Sequence, residues 1–507
     1  MARCWLLLAL LALFLTPALF ASGPTGTITG TVTDPSGAVV QKARITVLNE
    51  ATNAIRDAQT NDDGDFTVAL LPPGRYRVTA ESPGFRRSIF SDVTVDVDQT
   101  VRVDFALEVG AAAEEIHVKD TPPAIQTDTS TLGQVVNNRL VQQLPLNERN
   151  FLNFAMLVPG SQLPAEGSQN STQGGALSVN GAREQSNNFL LDGVDNNDPY
   201  INQYVALPSV DAIQEFKVQS SDYSAEYGRG GGAQINVVLK SGTNAFHGTL
   251  FEYFRNRSIL DAKNYFDFPA CTSASVPGEC GRIPALQRNQ FGGTLGGPIR
   301  KDKTFFFISY EGLRLRQANT REATVPSQVQ WGMAAGLAQQ LLQAFGCPNP
   351  VNPICQGQAA GQKVFNLYPQ ANVGSDLANS NTFLSAPVIR NSENLYSAKV
   401  DHHFSATDTV SAHYSLIDEN RFDPFDPVNA FTSLPGYGSY TLNHGQNAGL
   451  EWTRVFRSTM VNELRLGFVR MRATVLQQNH GTDIAAQLGF PDVLTNPVDW
   501  ELLTSTC

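Results

Sequence analysis

Residues 209–256 constrain the fold of this chain more than any other stretch. Two runs rich in β-branched residues, 213–218 and 235–240, flank a glycine-rich bend at 227–232. An aromatic run over 246–256 follows, and residues 188–194 precede them with an Asp-Gly pair. β-Branched runs bounded by glycine are typical of strands, and Asp-Gly is typical of a tight turn. The sequence therefore predicts a set of strands joined by short turns.

In this fixed order, the residues resemble the plug domain of TonB-dependent outer-membrane receptors and its junction with the β-barrel. The resemblance is carried by Asp192-Gly193, by Tyr227-Gly228 and by the runs at 213–218 and 235–240. It implies an all-β dominated fold with an N-terminal β-sandwich, an α+β plug domain and the first strands of an incomplete transmembrane antiparallel β-barrel. It also implies a location in the outer membrane, in contact with its lipid.

The N-terminus has the pattern of an exported protein. Arg3 gives a basic start, residues 5–15 are an unbroken apolar run, and Ala21 offers a small residue for cleavage. These are the three parts of a secretory signal peptide, which we predict over residues 1–21. The apolar run is short for a spanning helix, and an uncleaved anchor is the alternative.

The charge balance excludes one class of partner. The chain has 47 acidic and 36 basic side chains and a net charge of -11. Binding nucleic acid requires many phosphates to be neutralised by lysine and arginine, so we expect no nucleic-acid partner. Glycine (41), Phe (29) and Tyr (13) are plentiful, as the turns and aromatic girdles of membrane barrels require.

Residues 22–110 predict a small β-sandwich. Alternating runs at 26–34, 43–49, 66–71, 75–80 and 93–107 are separated by turns, a spacing typical of sandwiches. Gly30-x-Val32-x-Asp34 and Leu71-Pro72-x-Gly74-x-Tyr76 resemble elements of the carboxypeptidase regulatory-like domain, an accessory sandwich and not the zinc peptidase. The seven histidines include no His-x-x-Glu pair, so we expect no peptidase metal site.

Two features of this predicted sandwich have alternative interpretations. The acidic cluster around Gly64 could be a calcium loop, but it lacks the ligand spacing of an EF-hand, so we favour a hairpin turn. Sandwiches of this type also occur in sugar-binding proteins, and aromatic rings could stack on a glycan. We favour a core role for these rings, which belong to Phe66, Tyr76, Phe85, Phe90 and Phe105.

Residues 111–123 predict a linker that carries a short extended strand. Glu115, Ile116, His117 and Val118 alternate polar and apolar side chains between an alanine run and a Pro-Pro pair. In position and character they resemble the TonB box, which pairs with a strand of the TonB-type energy-transducing protein in the periplasm. Strand addition of this kind relies on main-chain hydrogen bonds. A plain linker strand is the alternative.

Residues 124–243 are expected to form the plug. Prolines at 145 and 159 suit a short helix between them, and the Leu-Pro-Leu-Asn pattern at 144–147 resembles the Oar-type branch of the receptor superfamily. Asp192, Asp195 and Asp198 could form a cation site, but a loop with Asx-turns explains them equally well, and we prefer the loop. Gly228-x-Gly230-x-x-Ala233 matches a dinucleotide loop only formally, because no βαβ unit surrounds it.

Residues 244–507 predict the N-terminal part of an outer-membrane β-barrel. Seven candidate strands alternate between short and long connections, the layout of such barrels. The long connections are 257–288, 312–393 and 419–444, with a helix at 328–345. The strands are expected at 246–256, 289–297, 304–311, 394–404, 409–418, 445–456 and 460–472.

Within these strands the two faces separate by polarity. Ile308 and Tyr396 fall on apolar faces, whereas Ser309, Lys399 and His413 fall on polar ones. Closed bacterial barrels have an even strand number, so we expect this chain to be the N-terminal part of a larger receptor.

The cysteines indicate an extracytoplasmic setting. Cys271 and Cys280 lie in the first long connection, and Cys347 and Cys355 lie in the second. Short excursions closed by paired cysteines are natural in exported proteins. We predict two local disulfides, Cys271–Cys280 and Cys347–Cys355.

Two functions from different classes fit the sequence. The first is a TonB-dependent receptor or transporter that takes up or senses an extracellular ligand such as a glycan or a peptide. The alternative is a surface carbohydrate-binding or adhesion protein without transport. No nucleophile elbow, phosphate loop or zinc signature is present in the sequence, so we expect no enzyme, no cofactor and no metal.

Overall fold

A computed structural model describes most of the chain from Thr25 to Thr482. The predicted signal peptide, Gly228 and all four predicted disulfide cysteines lie outside the described residues. The described ranges are 25–110, 115–118, 132–137, 140–141, 149–162, 177–200, 202–223, 227, 229–257, 285–318, 321–344, 366, 368–372, 376, 378–424, 438–457 and 460–482.

The N-terminal strands form two facing sheets, which we call the sandwich. One sheet has the order β4-β1-β7, with β8 also paired to β1, and the other has the order β3-β2-β5-β6-β9. Alternate residues of each strand point into a shared core around Ile28, Ile45 and Phe105. The strands are β1 (Gly26–Thr33), β2 (Arg44–Asn49), β3 (Ile55–Gln59), β4 (Asp65–Leu71), β5 (Gly74–Glu81), β6 (Arg87–Val95), β7 (Thr100–Arg102), β8 (Phe105–Ala106) and β9 (Glu115–Val118).

The structure confirms the sandwich and corrects three details. The alternating run predicted over 93–107 is not one strand, because residues 96–99 turn between β6 and β7. The acidic turn is not a hairpin, since it joins β3 of one sheet to β4 of the other. It is nevertheless an Asx-type turn, because the Asn61 side chain accepts from the backbone N–H groups of Asp63 and Asp65. Strands β3 and the first half of β6 were not predicted, since their polar residues hide the alternation.

The middle of the chain folds around a second sheet, which we call the central sheet. Its order is β10-β15-β16-β13-β14. A 3-10 helix at Phe151–Leu157, capped by the Asn150 side chain, packs two phenylalanine rings against Phe216. This helix confirms the short helix expected near the two prolines. The strands are β10 (Leu132–Asn137), β11 (Ser161–Gln162), β12 (Ser178–Val179), β13 (Asn188–Leu191), β14 (Val194–Asp195), β15 (Ile213–Ser221) and β16 (Gln234–Leu239).

A seven-stranded antiparallel sheet follows, which we call the wall sheet. All seven predicted strands are present, in the order β17-β18-β19-β22-β23-β24-β25. Within the second long connection lie β20 (Arg321–Thr324), helix α1 (Gln328–Ala344) and β21 (Thr382–Ser385). The wall strands are β17 (His247–Asn256), β18 (Leu286–Arg300), β19 (Thr304–Ala318), β22 (Val388–His403), β23 (Asp408–Asp423), β24 (Ser439–Arg457) and β25 (Met460–Gln477).

Most wall strands are longer than predicted. Strands β18, β19 and β22 to β25 have 15 to 19 residues, whereas about 9–11 residues of a tilted strand cross a membrane. Added segments such as 312–318 and 388–393 fall in the predicted long connections. None of the helices in the described part of the chain is long and apolar enough to span a membrane.

The two faces of the wall sheet have the reverse of the polarity found in a soluble protein: the exposed face is apolar and the buried face is polar. Ile308, Tyr396 and Tyr414 are 41–47% exposed on its outer face. Ser309, Lys399 and Ser415, on the opposite face, are at most 8% exposed. A soluble sheet buries its apolar face, so this arrangement fits an apolar solvent outside and a polar interior. The alternation predicted for these strands is confirmed.

Candidate functional site

The candidate site is the contact between the central sheet and the polar, buried face of the wall sheet. Its central element is the Asp-Gly turn that joins β13 to β14. Asp192 and Gly193 have φ angles of 45° and 73°, as a two-residue type I′ hairpin requires. The turn places the Asp192 carboxylate in the interior, where Oδ1 accepts from the backbone N–H of Leu239 at 3.0 Å.

Asp192 forms a buried ion pair with the wall sheet. Lys399 Nζ on β22 donates to Asp192 Oδ1 at 3.1 Å, and both side chains are less than a tenth exposed. The His413 ring on β23 lies 3.6 Å from the other carboxylate oxygen. The motif indicates Asp192 and the strand face indicates Lys399, but neither indicates their pairing across 207 positions.

The same network continues to a third wall strand. His413 Nε2 and the side-chain oxygen of Asn447 on β24 lie 2.9 Å apart. The Asn447 amide in turn donates to the backbone oxygen of Asp195 at 2.9 Å. One turn of the central sheet is therefore held by polar side chains of three adjacent wall strands.

A second ionic contact joins the wall sheet to the central sheet with its 3-10 helix and loops, which together we call the central body. Arg149 pairs with Asp211 of the same body and, at 3.3 Å, with Glu311 of β19. Its guanidinium also lies 4.4 and 4.7 Å from the ring centres of Phe251 and Tyr253 on β17. A cation between carboxylates and aromatic faces is well satisfied away from water. Arg149 was not predicted from the sequence, because nothing local marks it as a contact residue.

Between these contacts, glycines allow the wall backbone to approach closely. A Cβ atom at Gly445 would lie 2.0 Å from the backbone oxygen of Val205. At Gly467 it would lie 2.5 Å from the Val194 side chain, and at Gly449 it would meet both that side chain and the His413 ring. Only glycine fits these inner positions of β24 and β25.

The other acidic residues of the loop behave as turn residues. Asp195 Oδ1 accepts from the backbone N–H of Asn197 at 3.2 Å, and Asp198 Oδ1 accepts from that of Tyr200 at 3.3 Å. These are Asx-turns, as the preferred interpretation predicted. Across the described ranges, no group of three or more His, Cys, Asp or Glu side chains could hold a metal ion.

The sandwich contacts the central sheet through the turn at 96–99. The backbone N–H of Val97 donates to the Glu215 carboxyl, and Lys217 Nζ donates to the backbone oxygen of Asp98 at 2.6 Å. The Tyr227 hydroxyl donates to the Asp98 carboxylate at 2.7 Å. Tyr227 of the predicted plug motif thus lies at the junction with the sandwich. Its motif neighbour Gly228 is outside the described residues.

This junction buries two ionisable side chains. Glu215 and Lys217 are each less than 5% exposed. Burial, with a further contribution from the Asp96 carboxylate, raises the pKa of Glu215 to about 9. Burial also lowers the pKa of Lys217. Glu215 therefore holds its proton at neutral pH.

The sandwich contacts the wall sheet at the end with the short turns. Asn53 donates to Asp302 at 3.0 Å in the turn between β18 and β19. Arg56 donates to the backbone oxygen of Ala406 at 2.8 Å in the turn between β22 and β23. These contacts, which we call the rim contacts, are solvent-exposed.

The predicted coupling segment is a strand in the structure. Residues Glu115–Val118 form β9, as expected, but β9 is not a free linker strand. It pairs in parallel with the start of β6, with Ile116 opposite Ser88 and Val118 opposite Phe90. It is the outermost strand of its sheet among the described residues.

The aromatic residues of the sandwich lie in its core. Phe66, Tyr76, Phe90 and Phe105 are all buried, and Phe85 packs against them. The core interpretation is confirmed, and these rings form no glycan-stacking platform.

Known protein families match two parts of the chain. The outer membrane beta barrel domain family matches residues 238–506. The carboxypeptidase regulatory-like domain family matches residues 27–108.

Among curated proteins, the chain is similar to the TonB-dependent transporter Oar of Myxococcus xanthus. The two are 28% identical over 314 residues, which make up 59% of this chain and 28% of that relative. The chain thus spans less than a third of the length of this relative.

Two solved structures are also similar. The outer membrane transporter YddB from Escherichia coli has 11% identity and a TM-score of 0.42, with 69% of this chain and 40% of that chain covered. The siderophore receptor PirA from Acinetobacter baumannii has 14% identity and a TM-score of 0.33, with 68% and 45% covered.

Proposed function

We propose, from the premise that this chain belongs to the outer membrane beta barrel domain family, that it acts as a TonB-dependent receptor that takes up or senses an extracellular ligand. It is an Oar-like outer-membrane protein with an N-terminal carboxypeptidase regulatory-like domain. In this proposal the central sheet is the plug, the wall sheet is part of the barrel, and the sandwich faces the periplasm.

One observation carries the proposal: the central body, a folded unit with its own sheet, sits against the polar face of the wall sheet. The core of the body lies around Phe216 and Ile235, and Phe307 of β19 packs into it from the wall sheet. The body is held to the wall largely by polar side chains, including Lys399, Asn447 and Glu311. These buried contacts are costly to break in place, but their polar groups can be hydrated once the body has shifted, whereas an apolar seam would resist exposure. Such a body can move without unfolding the wall.

The ligand lies on the side with the long connections in this proposal, and energy enters from the other side. The sandwich contacts the short-turn end of the wall sheet, which supports placing the sandwich and β9 in the periplasm. We propose that Glu115, Ile116, His117 and Val118 act as the TonB box. A short edge strand suits capture by the TonB-type energy-transducing protein through strand addition.

Replacing Ile116 by proline tests this function. Proline removes a backbone donor and fixes φ, so it disables strand pairing with little change in composition. Ile116→Ala is the matched control, because it shortens the side chain and keeps the donor. We expect Ile116→Pro to lower retention of the partner's periplasmic domain at least about tenfold in a pull-down, a loss of about 1.4 kcal/mol.

Both variants should still insert in the outer membrane, as membrane fractionation would show, since β9 lies outside the wall sheet. Unchanged retention of the partner by Ile116→Pro would place the coupling strand elsewhere in the chain.

A further inference from the structure

The position of β9 in the sandwich suggests how the partner engages this protein. One edge of β9 is paired with β6 over Arg87, Ser88, Ile89 and Phe90. No described strand pairs with its other edge. An unpaired edge offers a row of N–H and C=O groups to an incoming strand. The partner therefore has an edge to use without displacing β9.

The pairing with β6 also makes capture of β9 easier. A free segment loses conformational freedom when a partner orders it as a strand. β9 is already ordered on β6, so this cost has been met before the partner arrives. Preorganisation of this kind favours binding to the docked strand over binding to a released one.

Strand β6, which holds β9, leads directly to the turn that contacts the central sheet. β6 pairs with β9 at its start and ends at Val95, and the turn at 96–99 follows immediately. That turn is held by Glu215 and Lys217 of β15. A pull on β9 can therefore pass through β6 and the turn at 96–99 into β15 of the central sheet.

The two attachments of the sandwich differ in strength. The contacts at the turn are made by side chains less than 5% exposed, namely Glu215 and Lys217. The rim contacts through Asn53 and Arg56 are exposed. Exposed polar contacts are weak because water competes for both groups, whereas breaking a buried contact leaves its polar groups without a partner. Under load the rim contacts yield first, and the sandwich stays with the central sheet.

We propose that the sandwich is part of the docking surface: an extended strand of the energy-transducing partner pairs with the edge of β9 that faces away from β6 while β9 remains on β6, and the sandwich transmits the pull to the central sheet. This inference rests on the proposed function, because it takes β9 to be the coupling strand. It adds that β9 is never released from the sandwich.

A disulfide between β6 and β9 tests the retention of β9. Arg87 and Glu115 are direct register partners, so Arg87→Cys with Glu115→Cys can fix β9 in place. The measurement is the Kd of the partner's periplasmic domain for the intact, detergent-solubilised receptor, with the disulfide oxidised or reduced. Peptide mapping verifies the cross-link, and Arg87→Cys alone, treated with the same oxidant, is the control.

We expect the Kd of the oxidised receptor to lie within about twofold of the reduced one. A tenfold or larger loss of affinity on oxidation, recovered on reduction, would show that β9 must leave β6, and would overturn the inference. In that case the proposed function still stands, provided that Ile116→Pro abolishes binding. No binding by the unmodified receptor would overturn both.

Hydrogen exchange gives a second readout that needs no substitution. The backbone amides of β6 from Arg87 to Phe90 should stay protected when the periplasmic domain is bound, and those of β9 should become more protected. Loss of protection in β6 on binding would contradict retention, even if the cysteine variant failed to fold.

Discussion

The replacement of Asp192 by Asn measures how firmly the central body is held to the wall. Asn keeps an oxygen acceptor for the Leu239 N–H but removes the charge that faces Lys399. Two unit charges 3.1 Å apart interact by about 5 kcal/mol at an effective dielectric constant of about 20. Desolvation offsets part of this. Breaking a buried pair by removing one partner typically costs about 3–5 kcal/mol, since the remaining charge stays buried.

A double-mutant cycle isolates this contact. Lys399→Met alone should also destabilise the protein, because it leaves the Asp192 carboxylate without its cation. The double variant, Asp192→Asn with Lys399→Met, removes both charges and should be less destabilised than the sum of the two single variants. We expect a coupling energy of about 2–3 kcal/mol, at the upper end for residues in contact.

The assay is urea denaturation of the protein in detergent micelles, followed by circular dichroism. The matched control is the exposed ion pair between Arg44 and Asp57, whose side chains are 60% and 46% exposed. Its removal should cost no more than about 1 kcal/mol. If Asp192→Asn were as mild as Asp57→Asn, the buried pair would not hold the central body, and the reasoning would be wrong.

Three further results are expected. The raised pKa of Glu215, about 9 against an ordinary value of 4.5, means that the folded state retains a proton which the unfolded state loses. Stability should therefore fall as the pH rises from about 4.5 to about 9. Glu215→Gln should flatten that part of a thermal-unfolding profile, and an unchanged profile would contradict the assignment. Under non-reducing conditions, peptide mapping should find both predicted disulfides, and free thiols or crossed pairs would disprove them; they are Cys271–Cys280 and Cys347–Cys355. The isolated sandwich, residues 24–110, should fold with a β-type circular dichroism spectrum and no peptidase activity, and a featureless spectrum would refute this.

Local patterns predicted the wall sheet well. Its strands alternate because one face meets lipid and the other a polar interior, and this alternation is visible within each strand. The Asp192-Gly193 turn was equally readable, since few residues other than Asp, Asn and Gly accept two successive positive φ angles. The extra length of the wall strands was not predicted, since it lies in segments such as 312–318 and 388–393, which fall within the predicted long connections although they contain apolar residues.

Long-range contacts could not be predicted from one sequence. Asp192 and Lys399 each had a local marker, a turn motif and a polar strand face, but their pairing depends on how the central body sits against the wall. Arg149 had no marker, because an arginine in a polar loop resembles many exposed ones. The parallel pairing of β9 with β6 was missed for a related reason: a four-residue strand carries too little pattern to indicate its neighbour.

The glycines of β24 and β25 divide the inner wall into two regions with different tolerance to mutation. Near Lys399 and Glu311, a substitution does harm by deleting a polar partner, and another polar group of similar reach could restore the contact. At Gly445, Gly449 and Gly467 the harm comes from any added atom, because the 194–205 loop already occupies the space where a Cβ would lie. A binding residue could therefore be engineered on the first region by exchange of side chains. On the second region the loop itself would have to be rebuilt.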